Sequence, residues 1–200
     1  MSERLLSKRV ILVTGTPCVG KTAVAHALTS KLGGLYVNLT ELAVNEKLVL
    51  GEDTKRNTLV VNEKEMSSKI RGIIEESEYS NIIVDGHYAV NVVSEEFVSH
   101  VFVLRRNPVE LRKLMEQRGY SGAKMWENLA AEILDVCLVD ALNVCGREKV
   151  CEVDASSKSV EDVVSEILSF LEGKNKCGVG IVDWIGTLES QGMLDECLKI

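Results

Sequence analysis

Residues 10–22 read Val-Ile-Leu-Val-Thr-Gly-Thr-Pro-Cys-Val-Gly-Lys-Thr, and this stretch decides the fold. Its first four residues, Val10–Val13, form an apolar run typical of a buried strand, and the segment from Gly15 to Thr22 has the spacing GxxxxGK[ST]. A helical pattern follows directly. A loop of this kind surrounds an anion with backbone N–H groups, and the helix behind it adds the positive end of its dipole. The stretch therefore predicts a strand–loop–helix unit that binds phosphate.

The side chains at the end of this loop have expected roles. Lys21 would reach the β- and γ-phosphates of ATP, and the hydroxyl of Thr22 would ligate Mg²⁺. Cys18 stands where many such loops carry glycine, so the backbone must accept a side chain there. The alternative, a chance strand–turn–helix, requires four fixed positions to coincide in the right context. We predict that the nucleotide contacts Gly15, Cys18, Val19, Gly20, Lys21, Thr22 and Ala23.

Apolar runs that predict strands recur along the chain, and helical patterns separate them. The runs lie at residues 10–13, 35–38, 81–85, 100–104 and 149–153. Continuous rather than alternating apolarity is typical of strands buried on both faces. Strands that alternate with helices predict a parallel sheet with right-handed crossovers. We therefore expect an α/β fold of the P-loop NTPase class, with a five-stranded parallel sheet and helices on both faces.

Chemically capable residues follow the predicted strands at the edge where parallel sheets bind ligands. Asp85 ends one strand and would serve the Mg²⁺ shell directly or through water. Arg105 ends another strand, and Arg105 and Arg118 are candidate mobile cations for the transition state. The alternative for Arg118 is a partner of the dipole at a helix C-terminus. His87 could orient an attacking water or couple the nucleotide state to loop position. A packing role for His87 is the alternative, because a lone histidine is more often structural.

Three stretches are less regular. Residues 39–47 predict a helix, followed by a polar stretch at 51–57. A polar segment at 118–124 precedes what the apolar spacing predicts to be one long helix, with Leu129, Ile133, Val136 and Cys137 on one side. Residues 173–200 begin like a linker and continue with weak helical patterns. We expect a pair of short helices there that pack on the core, although packing on a partner is the alternative.

Length and charge restrict the class of protein. Two hundred residues suit one α/β domain with a small appendage. The net charge of −7 gives no overall field that attracts nucleic acid, so direct sequence-specific binding of nucleic acid is not expected. The N-terminus lacks an apolar signal region, and no run approaches the ~20 apolar residues of a membrane span. We expect a soluble protein of the cytoplasm, or of the nucleus in a eukaryote.

The cysteine pattern argues against a disulfide framework or a zinc site. Six cysteines show no CxxC pair and no nearby histidine ligands, which favours buried free thiols: Cys18, Cys137, Cys145, Cys151, Cys177 and Cys197.

Four motifs in order carry a resemblance to a known family. They are Thr-Gly-Thr-Pro-Cys-Val-Gly-Lys-Thr at 14–22, Val-Asp-Gly-His at 84–87, His-Val-Phe-Val-Leu-Arg at 100–105 and Arg-Gly-Tyr-Ser-Gly-Ala-Lys-Met-Trp-Glu-Asn-Leu at 118–129. Over residues 8–172 the chain resembles the adenylate kinase isoenzyme 6 type, which includes the coilin-interacting nuclear ATPase and its archaeal relatives. The phosphate loop alone is specific only to the superfamily. The Asp-x-His and Arg-Gly-Tyr…Glu-Asn motifs sharpen the match.

The resemblance implies a nucleoside monophosphate kinase fold that uses ATP and Mg²⁺, with AMP as the expected acceptor, and that also hydrolyses ATP. It further implies a role in late maturation of the small ribosomal subunit, through a small-subunit ribosomal protein. The monophosphate-binding segment falls on about residues 38–61 and the lid on about 117–127, within a kinase-like domain of residues 1–172. In the family pattern Arg118 touches ATP and Lys158 lies beside the adenine. Residues 173–200 form an extension to which the resemblance assigns no counterpart.

One departure bears on the activity. Val44 occupies a place where family members often carry an arginine that grips the monophosphate, and losing that clamp weakens binding of a dianion. Four hypotheses therefore stay open. They are a monophosphate kinase, an ATPase that resets a ribosomal-protein partner and has only vestigial kinase activity, a nucleotide-dependent binding module, and a different small-molecule kinase with this loop. The intact Lys21, Thr22 and Asp85 count against the binding module.

Overall fold

The computed structural model describes residues 8–53 and 58–199. Five of its strands form one sheet in which every pairing is parallel. The strands are β1 (Arg9–Thr14), β2 (Leu35–Asn38), β5 (Asn81–Asp85), β6 (Val98–Arg105) and β7 (Val150–Asp154). Their order across the sheet is β2-β5-β1-β6-β7, which puts the strand before the phosphate loop at the centre.

Helices cover both faces of this sheet, as the alternating pattern predicts. Val10 and Leu12 of β1 pack on one face and Ile11 and Val13 on the other, and all four are buried. The helices on the face of Val10 and Leu12 are α2 (Leu39–Asn45), α3 (Glu63–Glu76), α4 (Ala89–Val92) and α7 (Val136–Cys145). The opposite face holds α1 (Lys21–Leu32), α5 (Pro108–Gln117), α6 (Gly122–Ile133), α8 (Val160–Leu171), α9 (Trp184–Ser190) and α10 (Leu194–Cys197). Burial of a large apolar side chain contributes about 1.5–3 kcal/mol, so this double layer is the main source of stability.

The polar stretch after α2 contains an antiparallel hairpin that periodicity does not predict. Its strands are β3 (Val49–Asp53) and β4 (Thr58–Val61). Residues 54–57 of the predicted polar stretch lie outside the described residues. Charged residues and a glycine hide the strand pattern here, because a two-stranded ribbon at the surface needs little burial.

The predicted long helix is wrong, because it is broken between α6 and α7. Asp135 adopts a left-handed backbone conformation with φ 59°, and its carboxylate pairs with the guanidinium of Arg105. A single left-handed residue redirects the chain without changing the apolar spacing around it, so periodicity gives no sign of the break.

The C-terminal segment packs on the core of its own chain. Trp184, Leu188 and Cys197 are buried, and Leu188 and Cys197 belong to the apolar layer shared with α5 and α6. A disulfide joins Cys151 of β7 to Cys177 at the start of this segment. The expectation of free thiols is therefore wrong for these two residues, because folding brings together cysteines 26 positions apart. Cys18, Cys137, Cys145 and Cys197 are free thiols. Within the described ranges, none of the helices is long and apolar enough to cross a membrane.

Candidate active site

The phosphate loop joins the centre of the sheet to the start of α1. Gly15 has φ 135°, and a Cβ atom there would collide with the backbone carbonyl of Leu104 in the neighbouring β6. Cys18 has φ 74° and is buried, so a side chain occupies a left-handed position that usually favours glycine. Gly20, with φ 111°, precedes the first residue of α1. The loop therefore has the tight backbone that its sequence predicts.

Lys21 lies at the start of α1 with its ammonium turned back over the loop. Its Nζ donates to the carbonyl oxygen of Thr16 at 2.8 Å. Burial lowers the pKa of Lys21 from its ordinary value, and the carboxylate of Asp85 opposes that effect. The loop thus brings the Lys21 Nζ to the place where its backbone N–H groups would surround an anion.

Asp85 accepts hydrogen bonds from three side chains on two elements, Thr22 of α1 and Tyr36 and Asn38 of β2. Its Oδ2 accepts from Thr22 Oγ1 at 2.8 Å, Tyr36 Oη at 2.9 Å and Asn38 Nδ2 at 3.0 Å, and none of these bonds uses Oδ1. Burial raises the pKa of Tyr36 to about 12, and Asp85 acts in the same direction, so the phenol stays protonated and donates. The predicted pair Thr22 and Asp85 is therefore in direct contact. Tyr36 and Asn38 are site residues that the sequence analysis missed, although both lie on a predicted strand that ends at the ligand edge.

His87 follows Asp85 by two residues and lines the same cleft. The hydroxyl of Thr14 donates to its carbonyl oxygen at 3.1 Å, which fixes the backbone beside the phosphate loop. His87 is exposed to the solvent in the cleft. Desolvation by the surrounding protein and the nearby charges of Lys21 and Lys124 nevertheless lower the pKa of His87 to about 4. The imidazole is therefore neutral at pH 7.

A cleft of about 440 Å³ opens over these groups. Its floor comes from Pro17, Cys18, Lys21 and Thr22 of the loop and from Asp85, Gly86 and His87 after β5. One wall comes from Asn38, Thr40, Ala43 and Val61, and the opposite wall from Tyr120, Lys124 and Asn128. The two walls belong to the segments in which the resemblance places the monophosphate site and the lid. The sequence analysis named none of the three residues of the second wall individually.

The second wall is formed by a short connection and by the start of a helix. Residues 118–121 connect α5 to α6, and the rest of the expected lid forms the first turns of α6. Burial and the nearby Cys18 thiol raise the pKa of Tyr120 above its ordinary value, and the Lys124 ammonium lies 5.4 Å from the centre of the Tyr120 ring. The unusual residue of the phosphate loop thus lines the same cleft as this wall.

Arg105 does not reach the cleft, and its proposed role as a mobile cation is wrong. It is 1% exposed and forms ion pairs with Glu132, Asp135 and Glu152. Burial disfavours the charged form of Arg105 and by itself would lower its pKa. The carboxylates of Glu132 and Asp135 outweigh burial, so the pKa of Arg105 is raised. The side chain turns away from the ligand edge because it pairs with two buried carboxylates, Glu132 of α6 and Glu152 of β7. Position at a strand end does not reveal these contacts.

The neighbouring Arg106 lies against the loop instead. Its Nε donates to the carbonyl oxygen of Val19 at 3.3 Å, and its Nη1 pairs with Glu110 at 3.2 Å. The sequence analysis missed this residue because Arg105 and Arg106 are adjacent, and only the side-chain directions distinguish them.

Known proteins similar to this chain show which family it belongs to. A family model described as an AAA domain matches residues 11–135. The "Putative adenylate kinase" of Pyrococcus furiosus is 39% identical over 180 residues, which cover 90% of this chain and 93% of the relative. A protein with the same name from Saccharolobus islandicus is 32% identical over 191 residues, covering 96% of this chain and 95% of the relative.

The chain belongs to this archaeal adenylate kinase family. A match over 96% of the chain necessarily extends into residues 173–200, for which the resemblance had no counterpart. Two solved structures share the fold of this adenylate kinase relative. A gluconokinase from Sinorhizobium meliloti has a TM-score of 0.54 at 17% identity, covering 84% of this chain and 94% of that one. The thymidylate kinase of Candida albicans has a TM-score of 0.52 at 15% identity, covering 84% and 92%. At such identities the likeness shows the P-loop kinase fold alone.

Two positions that the adenylate kinase resemblance assigns to ATP lie outside the cleft lining. Arg118 is exposed at the end of α5, where its backbone N–H caps the helix. Lys158 lies in the loop after β7 and pairs with Glu166 at 2.7 Å. Their contacts with a nucleotide remain predictions.

Proposed function

We propose that the chain is an ATP-dependent nucleoside monophosphate kinase that transfers the γ-phosphate of ATP to AMP and also hydrolyses ATP. One observation carries the proposal. A single cleft is lined by Lys21, the Thr22–Asp85 pair and His87. Its two walls come from the segments expected to bind the monophosphate and to close over ATP. Membership of the adenylate kinase family supports the same reaction.

The residues fit a reaction driven by position and charge. Phosphoryl transfer needs the phosphate oxygens neutralised and the two substrates aligned, and it needs no covalent nucleophile from the protein. The loop N–H groups and Lys21 would bind the β- and γ-phosphates. The neutral His87 would orient the attacking water in hydrolysis, whereas the attacking group in transfer is a phosphate oxygen of AMP held by its own binding site.

The site also fits Mg²⁺ bound together with the nucleotide. The described residues contain no group of three or more His, Cys, Asp or Glu side chains placed to hold a metal ion. Mg²⁺ in nucleotide sites is usually held by one or two protein oxygens, several waters and the phosphates, so a full protein cage is not required. Thr22 would supply a direct oxygen and Asp85 would hold a ligating water. When bound, the ion would supply positive charge that offsets the charge of the phosphates.

Conversion of ATP and AMP into ADP tests the proposal. When AMP is present, the purified protein should form two ADP for each AMP consumed, beyond the single ADP that comes from each ATP hydrolysed, as measured by chromatography of the nucleotides. Lys21→Ala should abolish both transfer and hydrolysis while the circular dichroism spectrum stays unchanged, because the substitution removes charge from an accessible site. Near-normal turnover by folded Lys21→Ala would contradict the assignment.

A second candidate function is an ATPase that acts on a small-subunit ribosomal protein in ribosome maturation. It is favoured by the uncharged wall on the acceptor side, where the described lining residues are Asn38, Thr40, Ala43 and Val61. Val44 is 55% exposed and offers no charge to a phosphate. Lys55 and Arg56 lie outside the described residues. ATP consumption that AMP does not alter, but that a small-subunit ribosomal protein stimulates, would favour this function over the kinase.

A further inference from the structure

Glu132 is a buried carboxylate behind the phosphate loop, and it accepts hydrogen bonds from three parts of the chain. It is 1% exposed. Its Oε2 accepts from Thr16 Oγ1 of the loop at 2.6 Å, and its Oε1 accepts from the backbone N–H of Arg106 at 3.1 Å. Oε1 also accepts from Arg105 Nε at 2.9 Å and from the indole Nε1 of Trp184 at 3.0 Å. The last donor belongs to the C-terminal segment.

These bonds join Trp184 to the phosphate-binding lysine in three steps. Trp184 donates to Glu132, Glu132 accepts from the Thr16 hydroxyl, and the Thr16 carbonyl accepts from Lys21 Nζ at 2.8 Å. A second route runs through Arg106, whose backbone contacts Glu132 while its side chain contacts Val19 of the loop. A buried charged acceptor with fixed donors holds its partners far more rigidly than a solvated one.

The C-terminal segment is itself anchored close to this network. Glu152 accepts from the backbone N–H groups of Gly180 and Ile181 at 2.7 and 2.8 Å, and it pairs with Arg105. The Cys151–Cys177 disulfide holds the start of the segment on the same strand as Glu152. Trp184 is 6% exposed, so its indole is fixed rather than mobile at the surface.

We propose that Trp184 is a positioning residue for the ATP site, which acts through Glu132 to hold Thr16 and Lys21 of the phosphate loop in their binding geometry. The C-terminal segment is then a working part of the nucleotide site and not only a cover for the core. The inference rests on the proposed function, because it deepens the ATP site of that reaction. It can nevertheless be tested by ATP binding alone.

Trp184→Phe keeps the ring and removes the N–H donor. The dissociation constant of ATP and its KM should rise about threefold to tenfold, which is less than the full effect of losing a hydrogen bond to a charged group, because Glu132 keeps its bonds from Thr16, Arg105 and Arg106. The value of kcat should change less, because the loop grips the phosphates in both the ground state and the transition state. Thr187→Val is the matched control, since it also removes one side-chain donor from α9, but that hydroxyl donates to the carbonyl oxygen of Asp183 at the start of the same helix. It should leave ATP affinity unchanged.

A double-mutant cycle with Thr16→Val separates positioning from general packing. If Trp184 acts through Glu132 on Thr16, then Trp184→Phe should lose most of its effect on ATP affinity in the Thr16→Val background. An equal effect in both backgrounds, or no effect in either, would overturn the proposal. Failure of the wild-type protein to phosphorylate AMP would defeat the proposed function and leave this binding cycle valid.

Fluorescence gives a measurement that does not depend on a folded Trp184 variant. The chain has two tryptophans, so Trp126→Phe leaves Trp184 as the sole indole reporter. Because coupling between two sites is reciprocal, ATP should hold Trp184 more firmly in place, so acrylamide quenching of its emission should decrease with the same saturation curve as ATP binding. Quenching that stays constant from zero to saturating ATP would also overturn the proposal.

Discussion

His87 shows how the surroundings of a single residue decide its chemistry. The cleft walls, together with Lys21 and Lys124, lower the pKa of this histidine to about 4. A neutral imidazole can accept a hydrogen bond from water, but it adds no positive charge to the γ-phosphate. The residue is therefore suited to orient the nucleophile, while Lys21 neutralises charge.

His87→Ala should reduce ATP hydrolysis by about the 10²–10⁴-fold typical of a positioned acid–base group. Transfer to AMP should fall less, because the acceptor phosphate is positioned by its own binding site. Both rates would be measured in one preparation, with ATP binding checked by titration. Asp85→Asn is the companion variant, which should lower both rates together because Asp85 holds Thr22. Equal losses of both rates in His87→Ala would mean that His87 acts on loop geometry instead.

The lowered pKa of His87 also predicts the acidic limb of the pH profile. A histidine whose pKa is lowered stays neutral until the pH approaches that lowered value, and protonation then removes its acceptor lone pair. The kcat/KM of ATP hydrolysis should therefore hold through pH 6.5 and fall only as the pH approaches about 4. Circular dichroism at each pH would show that the protein is still folded. A limb near pH 6.5 that is absent in His87→Ala would contradict this assignment.

The wall expected to bind AMP comes from α2 and the β3–β4 hairpin, and the described residues of these elements include no lysine or arginine. Val44 is exposed on α2, one helical turn after Thr40 of the cleft lining. Val44→Arg would place a guanidinium near that wall. The KM for AMP should then fall about tenfold, because a charge-assisted bond to phosphate contributes about 1.5–3 kcal/mol. Steady-state kinetics with varied AMP would measure it.

The matched control adds the same charge at the next position. Asn45→Arg is also on α2, and Asn45 is exposed. It should leave the KM for AMP within about twofold of wild type, because a solvated charge that makes no direct contact with the phosphate is screened by salt. An equal decrease in both variants would indicate a general charge effect and not a rebuilt clamp.

The disulfide between β7 and the C-terminal segment stabilises that segment as an element. It closes a loop of 26 residues in sequence separation, and such a loop restricts the unfolded chain by about 3–4 kcal/mol. Cys177→Ser should lower the free energy of unfolding by up to that amount in urea titrations. Reductant should shift the wild type toward the variant and leave Cys177→Ser unchanged. Identical unfolding of oxidised wild type and variant would show that the bond does not restrict the chain.

At the scale of the whole molecule, Arg105 ties the sheet to α6 and to the C-terminal segment. Arg105→Met should lower the free energy of unfolding by about 3–5 kcal/mol, because Glu132 and Glu152 would remain buried without their cation. Arg112→Met is the control, since Arg112 forms a partly exposed pair with Glu116. Such pairs contribute at most about 1 kcal/mol. Similar urea midpoints for the two variants would mean that the buried carboxylates find other partners.

Local sequence patterns were enough to predict the parallel sheet, the phosphate loop and the two residues that matter most to the proposal. Apolar runs and the Gly15–Thr22 spacing are local properties, and they place Lys21 at the end of the loop and Asp85 at the end of a strand without knowledge of any contact. Arg105 followed the same rule and was wrong, because position at a strand end does not fix the direction of a side chain. Glu132 and Glu152 direct it inward.

Contacts between residues far apart in the sequence depend on the folded structure and could not be predicted from local patterns. The Cys151–Cys177 bond, the Asp135 break and the Tyr36–Asp85 contact depend on how separate elements pack. The contact between Trp184 and Glu132 spans 52 residues and joins a weakly helical tail to the back of the phosphate loop. Sequence patterns report the period and polarity of one element at a time. A buried polar contact is set by the free energy of satisfying a donor and an acceptor from different elements, and that requirement is met only in the folded chain.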